Sequence, residues 1–174
     1  MSNVPPIGPG STSLGPGEAV LAFDVGGTDT KSAVIDRQGQ VLGLRRTPTP
    51  QHPENPASAV VTLLGTLARE HRDEVPGQRP VAAAVSVPGL VDERTGVGIF
   101  ASNLPWRDAP LQALAERELG LPVALRHDVR AASDAEYRLG AATAYQDVVV
   151  LIIGTGIAGG LIIGGRPYTG GGFA

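Results

Sequence analysis

Cysteine is absent from the 174-residue sequence, and its basic residues form no block. Without cysteine the chain has no disulfide, no thiol catalysis and no cysteine-ligated metal. Lys31 is the single lysine, the arginines are scattered and the formal net charge is −3, so we expect no groove for a nucleic-acid backbone. The histidines, His52, His71 and His127, do not cluster at the spacing of metal ligands, so no metal site is predicted from them.

Long apolar runs are also scarce. Residues 1–18 are rich in Pro, Gly and Ser and lack the basic and apolar regions of a signal peptide, which predicts a disordered tail and a cytoplasmic protein. Residues 148–165 carry no charge and contain Gly156 and Gly160 at GxxxG spacing, the pattern of a dimerising transmembrane helix. Their glycines and β-branched residues instead favour a strand, a tight turn and a second strand, so we expect no membrane segment.

The rest of the sequence alternates short apolar runs with amphipathic segments, which is typical of an α/β layered sheet. Residues 47–56 contain four prolines and predict a loop.

The apolar hairpin near the end has no later segment to cover it. We therefore expect a tail (1–18), a first domain (19–128) and the truncated start of a second domain (129–174). Strands are predicted at 19–25, 30–36, 41–47, 81–87, 91–101 (a hairpin), 122–126, 148–153 and 161–163, and helices at 57–72, 111–119 and 129–139.

A first glycine-rich loop, Gly26-Gly27-Thr28, lies between two predicted strands. Such a turn can offer backbone N–H groups and a threonine hydroxyl to phosphate oxygens, because glycine allows close approach. Asp24, at the end of the preceding strand, is suited to hold Mg²⁺ through water. The same residues are equally typical of a hairpin turn without a ligand. From this loop alone, both interpretations stay open.

A second loop, residues 154–160, satisfies the pattern GxGxxG. A dinucleotide site would need a following helix and an acidic residue about twenty positions later. Here a short apolar run follows and no later acid exists, while Lys31-Ser32 lack the glycine that precedes a P-loop lysine. Two similar loops about 130 residues apart instead suggest two related subdomains that bind one polyphosphate from opposite sides.

An ordered series of segments resembles the motifs of the ROK family of sugar kinases and repressors. The resemblance covers about residues 20–172, nearly everything except the tail. The matching segments are residues 23–28 with 33–36 (first phosphate motif), 87–92 with Gly96 (Pro-Gly turn), 102–106 (similar to Pro-Asn-Leu-x-Trp), Asp128 followed by 136–137 and 140–142, and 154–157 (second phosphate motif).

The resemblance implies an actin-like, ribonuclease H-like fold that binds ATP, Mg²⁺ and a hexose in a cleft between two domains. It implies that Asp128 is the catalytic base and that Gly89, Asn103 and His127 also contact the sugar. Without the resemblance, Asp128 is typical of a cap for a helix that begins at Val129, and the two roles are compatible. The resemblance also implies which residues bind the ATP phosphates: Asp24, Gly26, Gly27, Thr28, Gly154, Thr155 and Gly156.

Three positions depart from the family pattern. His127 and Arg130 stand where asparagines are usual, and Asp29 stands where a lysine commonly follows Gly-Gly-Thr. The family's Gly-Glu-x-Gly-His segment, its structural zinc site and its adenosine-binding segment would lie beyond Ala174. For the full-length protein we expect a homodimer.

The main hypothesis is therefore an ATP-dependent hexose kinase of the glucokinase type. A sugar-responsive ROK repressor is an alternative, although residues 1–18 are too short for its helix-turn-helix. An inactive truncated remnant, whose uncovered hairpin promotes aggregation, is the other alternative.

Overall fold

The computed structural model describes residues 17–153 and 157–170. These residues divide between Asp128 and Val129 into two compact units. The first unit contains strands β1 (Val20–Val25), β2 (Asp29–Ile35), β3 (Val41–Pro48), β4 (Ala82–Val87), β5 (Leu90–Asp92), β6 (Val97–Phe100), β7 (Arg107–Ala109) and β8 (Val123–His127), and helices α1 (Pro56–Glu74) and α2 (Leu111–Leu119). Helix α3 (Asp128–Leu139) leads into the second unit, which contains β9 (Val148–Ile153), β10 (Ile157–Ile163) and β11 (Arg166–Tyr168).

The main sheet of the first unit has five strands in the order β3-β2-β1-β4-β8. Strands β1, β2 and β3 pair antiparallel, which confirms the predicted meander. Strands β1, β4 and β8 run parallel, so the sheet is mixed and the carboxyl ends of these three strands share one edge.

The core of the first unit lies between this sheet and its helices. Helix α1 buries Val60, Leu64 and Leu67 and partly buries Leu63, as its periodicity predicts. Helix α2 ends at Gly120, whose φ of +66° is the left-handed geometry that glycine adopts most readily. The unit therefore covers one side of its sheet with its own helices.

A separate antiparallel sheet of the first unit contains three strands in the order β5-β6-β7. The β5–β6 hairpin turns at 93–96 as predicted, and the Gly96 N–H donates to the Asp92 carbonyl at 2.9 Å. Strand β7 was not predicted. It contains Arg107 and Asp108 and is a strand because it pairs with β6.

The second unit contains an antiparallel sheet in the order β11-β10-β9. The predicted hairpin is present, but its second strand begins earlier than expected, at Ile157, and β11 was not predicted. Gly160 on β10 faces Ser133 of α3 so closely that a Cβ at this position would overlap the Ser133 hydroxyl. Helix α3 therefore packs directly on β10, where Ile162 is buried.

Much of strand β9 is exposed. Val149 is 64% exposed, Leu151 63% and Ile153 75%. In residues 17–153 and 157–170, no helix is long and apolar enough to span a membrane.

Candidate active site

The parallel strands bring the first glycine loop and Asp128 to the same edge of the main sheet. In the strand register, Asp24 of β1 lies opposite Ser86 of β4, which lies opposite Arg126 of β8. Neighbouring strands are about 4.8 Å apart, so β1 and β8 are separated by about 10 Å. In the sequence, Gly26 follows Asp24 by two positions, and Asp128 follows Arg126 by two positions. The loop and the carboxylate thus flank the end of β4.

Asp24 is held by the side chains of Ser86 and Lys31, and no sequence pattern connected either residue with it. The Ser86 hydroxyl donates to its Oδ1 at 2.8 Å, and Lys31 Nζ lies 3.3 Å from its Oδ2. The Asp24 side chain is 49% exposed, so water can reach the carboxylate. Mg²⁺ prefers oxygen ligands and keeps several waters, so this carboxylate fits a water-mediated contact to Mg²⁺. Lys31 is itself exposed and can move aside.

The carbonyls of the glycine loop all bond to one segment of the Pro-rich loop before α1. Gly26 O accepts from the Thr49 hydroxyl, Gly27 O from Gln51 Nε2 and Thr28 O from the Thr49 N–H, each at 2.8 Å. In a trans peptide the C=O and the next N–H point in opposite directions. The Gly27 and Thr28 N–H groups therefore point away from this segment, which is the orientation a phosphate-binding loop needs.

Two of the predicted sugar-binding residues, Asn103 and Gly89, are found at contacts that a glycine makes possible. The Asn103 side chain lies so close to Gly27 that a Cβ on Gly27 would overlap the side-chain amide of Asn103. Gly89 has φ +93°, and a Cβ there would overlap the Phe100 carbonyl oxygen. The structure thus brings Asn103 to the first glycine loop and fixes the Pro-Gly turn against β6.

Asp128 is the first residue of α3, one position earlier than predicted, so it lies in the first turn instead of preceding it. The positive end of the helix dipole stabilises a carboxylate at this place. Its Oδ1 lies 3.4 Å from His127 Nε2, and the two side chains are 35% and 20% exposed. His127 Nδ1 is buried and has no hydrogen-bond partner among the described residues.

The departures from the family pattern differ in their surroundings. The Asp29 carboxylate pairs with Arg46 Nη2 at 2.6 Å, which offsets the negative charge beside the glycine loop. Arg130 lies in the first turn of α3, in the second unit. The predicted phosphate residues Gly154, Thr155 and Gly156 lie outside the described residues.

The pKa values of two groups are shifted. Hydrogen bonds, the one from the Thr95 side chain above all, lower the pKa of Asp92, the last residue of β5. Burial lowers the pKa of His71 on α1, the positive charge of Arg45 lowers it further, and Glu70 acts in the opposite direction. His71 Nε2 bonds the Ser32 hydroxyl of β2 at 2.8 Å, so its titration concerns the packing of α1 on the main sheet.

The ROK family model matches residues 20–174. The chain belongs to the ROK family. It is 33% identical over 146 residues to the glucokinase of Streptomyces coelicolor, an alignment that covers 84% of this chain and 44% of that glucokinase. The ROK chain thus spans a little less than half the length of this curated relative.

Solved structures of ROK proteins share the fold. A ROK family glucokinase from Streptomyces griseus, in complex with glucose and AMPPNP, aligns with a TM-score of 0.78 and 31% identity over 90% of this chain and 48% of that protein. A ROK family transcriptional regulator, a homologue of the E. coli MLC protein, aligns with a TM-score of 0.79 and 22% identity over 90% of this chain and 39% of that regulator. The chain therefore has the α/β, actin-like fold of the ROK sugar kinases, whereas the likeness to the regulator concerns the fold alone.

Proposed function

We propose that the full-length ROK protein that contains this chain phosphorylates a hexose with ATP. The observation that carries the proposal is the common edge of β1, β4 and β8, where the first glycine loop and Asp128 lie about two strand spacings apart. That separation leaves room for a phosphoryl group and a sugar hydroxyl between them. The similarity to a glucokinase that was solved with glucose and AMPPNP supports the same reaction.

Asp128 is the base in this proposal. Its carboxylate accepts the proton of one sugar hydroxyl as the oxygen attacks the γ-phosphorus of ATP. The new P–O bond forms to the sugar, the bond from the γ-phosphorus to the bridging oxygen breaks, and ADP leaves with that electron pair. Phosphoryl transfer depends mainly on positioning and on charge stabilisation, so a carboxylate fixed at the start of a helix suits the task.

The first glycine loop binds ATP phosphates in this scheme. The N–H groups of Gly27 and Thr28 and the Thr28 hydroxyl donate to phosphate oxygens. Asp24 would hold Mg²⁺ through water, and the ion would supply positive charge that offsets the charge of the phosphates. The ion pair between Asp29 and Arg46 keeps a net negative charge from facing the phosphates. The second loop, Gly154-Thr155-Gly156, is proposed to bind the same polyphosphate.

Gly89, Asn103 and His127 are proposed to bind the sugar. Asn103 lies against the first glycine loop, and His127 lies beside Asp128, so both can reach a substrate held between loop and base. His127 can donate or accept a hydrogen bond where an asparagine is usual, but its ring is larger. The identity of the hexose therefore depends on how this ring shapes the pocket. The zinc site, the homodimer and the segment that binds adenosine stay predictions for the full-length protein.

A coupled assay of ADP release with a panel of hexoses tests the proposal on the full-length protein. We expect turnover that requires ATP and one preferred hexose, with phosphate found on that sugar. ADP release that is independent of any sugar, or no release with any hexose, contradicts the proposal.

A further inference from the structure

We infer that Glu93 is a positioning residue that fixes Asp128 for the proton transfer, an inference that rests on the proposed kinase function. Glu93 is not part of any motif identified in the sequence. It follows β5 directly, in the turn of the β5–β6 hairpin, more than thirty positions before Asp128. The fold nevertheless brings its carboxylate to the end of β8.

Both oxygens of the Glu93 carboxylate bind the last two residues of β8. Oε1 accepts from the His127 backbone N–H at 2.9 Å, and Oε2 accepts from Arg126 Nη1 at 2.6 Å. The Glu93 side chain is only 13% exposed, whereas Arg126 is largely in solvent. A bond from a backbone N–H to a largely buried carboxylate is charge-assisted and is stronger than a neutral one.

These bonds act where the chain changes from strand to helix. Within residues 17–153 and 157–170, β8 is the last strand of the main sheet, so on one side it has no neighbouring strand of that sheet. His127 ends the strand and Asp128 begins α3. A shift of the His127 backbone therefore moves the Asp128 carboxylate directly, and Glu93 restrains that shift.

Glu93 also connects the base to the turn that is proposed to bind the sugar. Gly89 lies just before β5, and Glu93 lies just after it, so three residues of strand separate them. The contact between Glu93 and His127 therefore fixes the distance between the sugar-binding turn and the base. Misplacement of a reacting group by about 1 Å can reduce a rate by about 100-fold.

The simpler interpretation is that Glu93 only stabilises the fold. Glu116 offers a matched control for a purely structural role, because its Oε1 accepts from the Val123 backbone N–H at 3.3 Å. Val123 is the first residue of the same strand β8, at the end opposite to Asp128. Glu116 thus makes a similar contact that has no connection to the base.

The test compares Glu93→Ala, Glu93→Gln and Glu116→Ala in the full-length protein. For Glu93→Ala we expect kcat to fall about 10- to 100-fold while the KM for ATP stays within about twofold. Glu93→Gln should keep most of kcat, because its amide oxygen still accepts from the His127 N–H. Glu116→Ala should leave kcat unchanged. An unchanged kcat in Glu93→Ala, or an equal loss in Glu116→Ala, overturns the inference.

Amide hydrogen exchange separates the failure of this inference from the failure of the kinase proposal. In Glu93→Ala the His127 N–H should exchange at least tenfold faster than in the wild type, and in Glu116→Ala its rate should not change. If exchange at His127 is the same in all variants, the positioning role is wrong whether or not the protein is a kinase. If exchange accelerates but the wild type transfers no phosphate, the kinase proposal fails and the catalytic role of Glu93 fails with it.

Discussion

Strands β1 and β9 have similar apolar sequences but very different surroundings. In β1, Leu21, Phe23 and Val25 are at most 4% exposed, whereas in β9 Val149, Leu151 and Ile153 are between 63% and 75% exposed. Helices α1 and α2 belong to the same unit as β1, and α3 in the second unit packs on β10. Alternate side chains along a strand share a face, but an apolar run does not show whether that face is covered.

The comparison has a consequence for function. The residues proposed to bind phosphate and to accept the proton, from Asp24 to Asp128, lie on a unit that builds its own core. The second glycine loop follows β9, whose apolar side chains are exposed. We therefore expect substitutions in the first unit to change its stability strongly and those in β9 to change it little.

The largest expected difference is between Leu64→Ala and Leu151→Ala. Leu64 is 1% exposed in the core, so its truncation leaves a cavity and should cost about 2–5 kcal/mol of unfolding free energy. Leu151 is largely in solvent, and its truncation should change this quantity by less than about 0.5 kcal/mol. Trp106 is the single tryptophan and is buried in the first unit, so its fluorescence in a urea titration follows that unit.

In the same urea titration, the fluorescence of the tyrosines follows the unfolding of the second unit. All of them lie in residues 129–174, so they report on the second unit. If Leu151→Ala lowers the urea midpoint of Trp106 as much as Leu64→Ala does, the contrast between the units is wrong.

A smaller difference is expected between Gly89→Ala and Gly164→Ala. Both glycines have positive φ, +93° and +56°, which costs an L-residue about 1–2 kcal/mol. At Gly89 the new Cβ also overlaps the Phe100 carbonyl, which adds about 1–3 kcal/mol, whereas nothing lies within 4 Å at Gly164. Urea titrations should therefore rank Gly89→Ala as clearly less stable. Equal losses would show that the turn before β5 has room to relax.

The smallest expected effect is the pH dependence that His71 gives to the first unit. His71 is buried, and its ring Nε2 bonds the Ser32 hydroxyl at 2.8 Å. Because its pKa is lowered in the folded state, the unfolded chain binds the proton first. Its stabilisation is therefore complete above about pH 6.5 and decreases as the pH falls below that value.

His71→Gln keeps a polar partner for Ser32 but cannot titrate. The urea midpoint of the wild type, followed by Trp106, should fall between pH 7 and pH 5, and that of His71→Gln should fall less. All three histidines lie in the first unit, so the tyrosine signal should not share this dependence. Parallel slopes in the wild type and the variant would assign the pH dependence to other groups.

Much of the fold could be predicted from local patterns. The meander β1–β3, the apolar face of α1 and the end of α2 at Gly120 follow from periodicity and glycine placement. Strands β7 and β11 could not be predicted in this way. They are short, they contain Arg107 and Asp108 or Pro167, and they are strands because a neighbouring strand supplies the hydrogen bonds.

The site was predictable only in part. Asp24, the first glycine loop and Asp128 carry recognisable motifs, and the parallel strands place them at one edge. The residues that orient them carry no such signal. Thr49 and Gln51 lie in a Pro-rich loop, and Ser86 and Glu93 are polar residues at strand ends, so only the tertiary structure shows what they bind.

The measurement that tests the account most directly is phosphoryl transfer by Asp128→Asn in the full-length protein. Asparagine keeps the shape of the side chain but cannot accept the proton, so we expect kcat to fall by about 10²- to 10⁴-fold. ATP affinity, measured by calorimetry, should change by less than about threefold, because the phosphates are proposed to bind at the glycine loops and not at Asp128. Asp134→Asn, which removes the carboxylate that pairs with Arg138 on the same helix, is the control and should keep full activity.

Loss of transfer in Asp128→Asn, with ATP binding kept and Asp134→Asn active, is the result that the account predicts. Turnover within about tenfold of the wild type would show that Asp128 is not the base. The common strand edge would then describe the fold without describing the reaction.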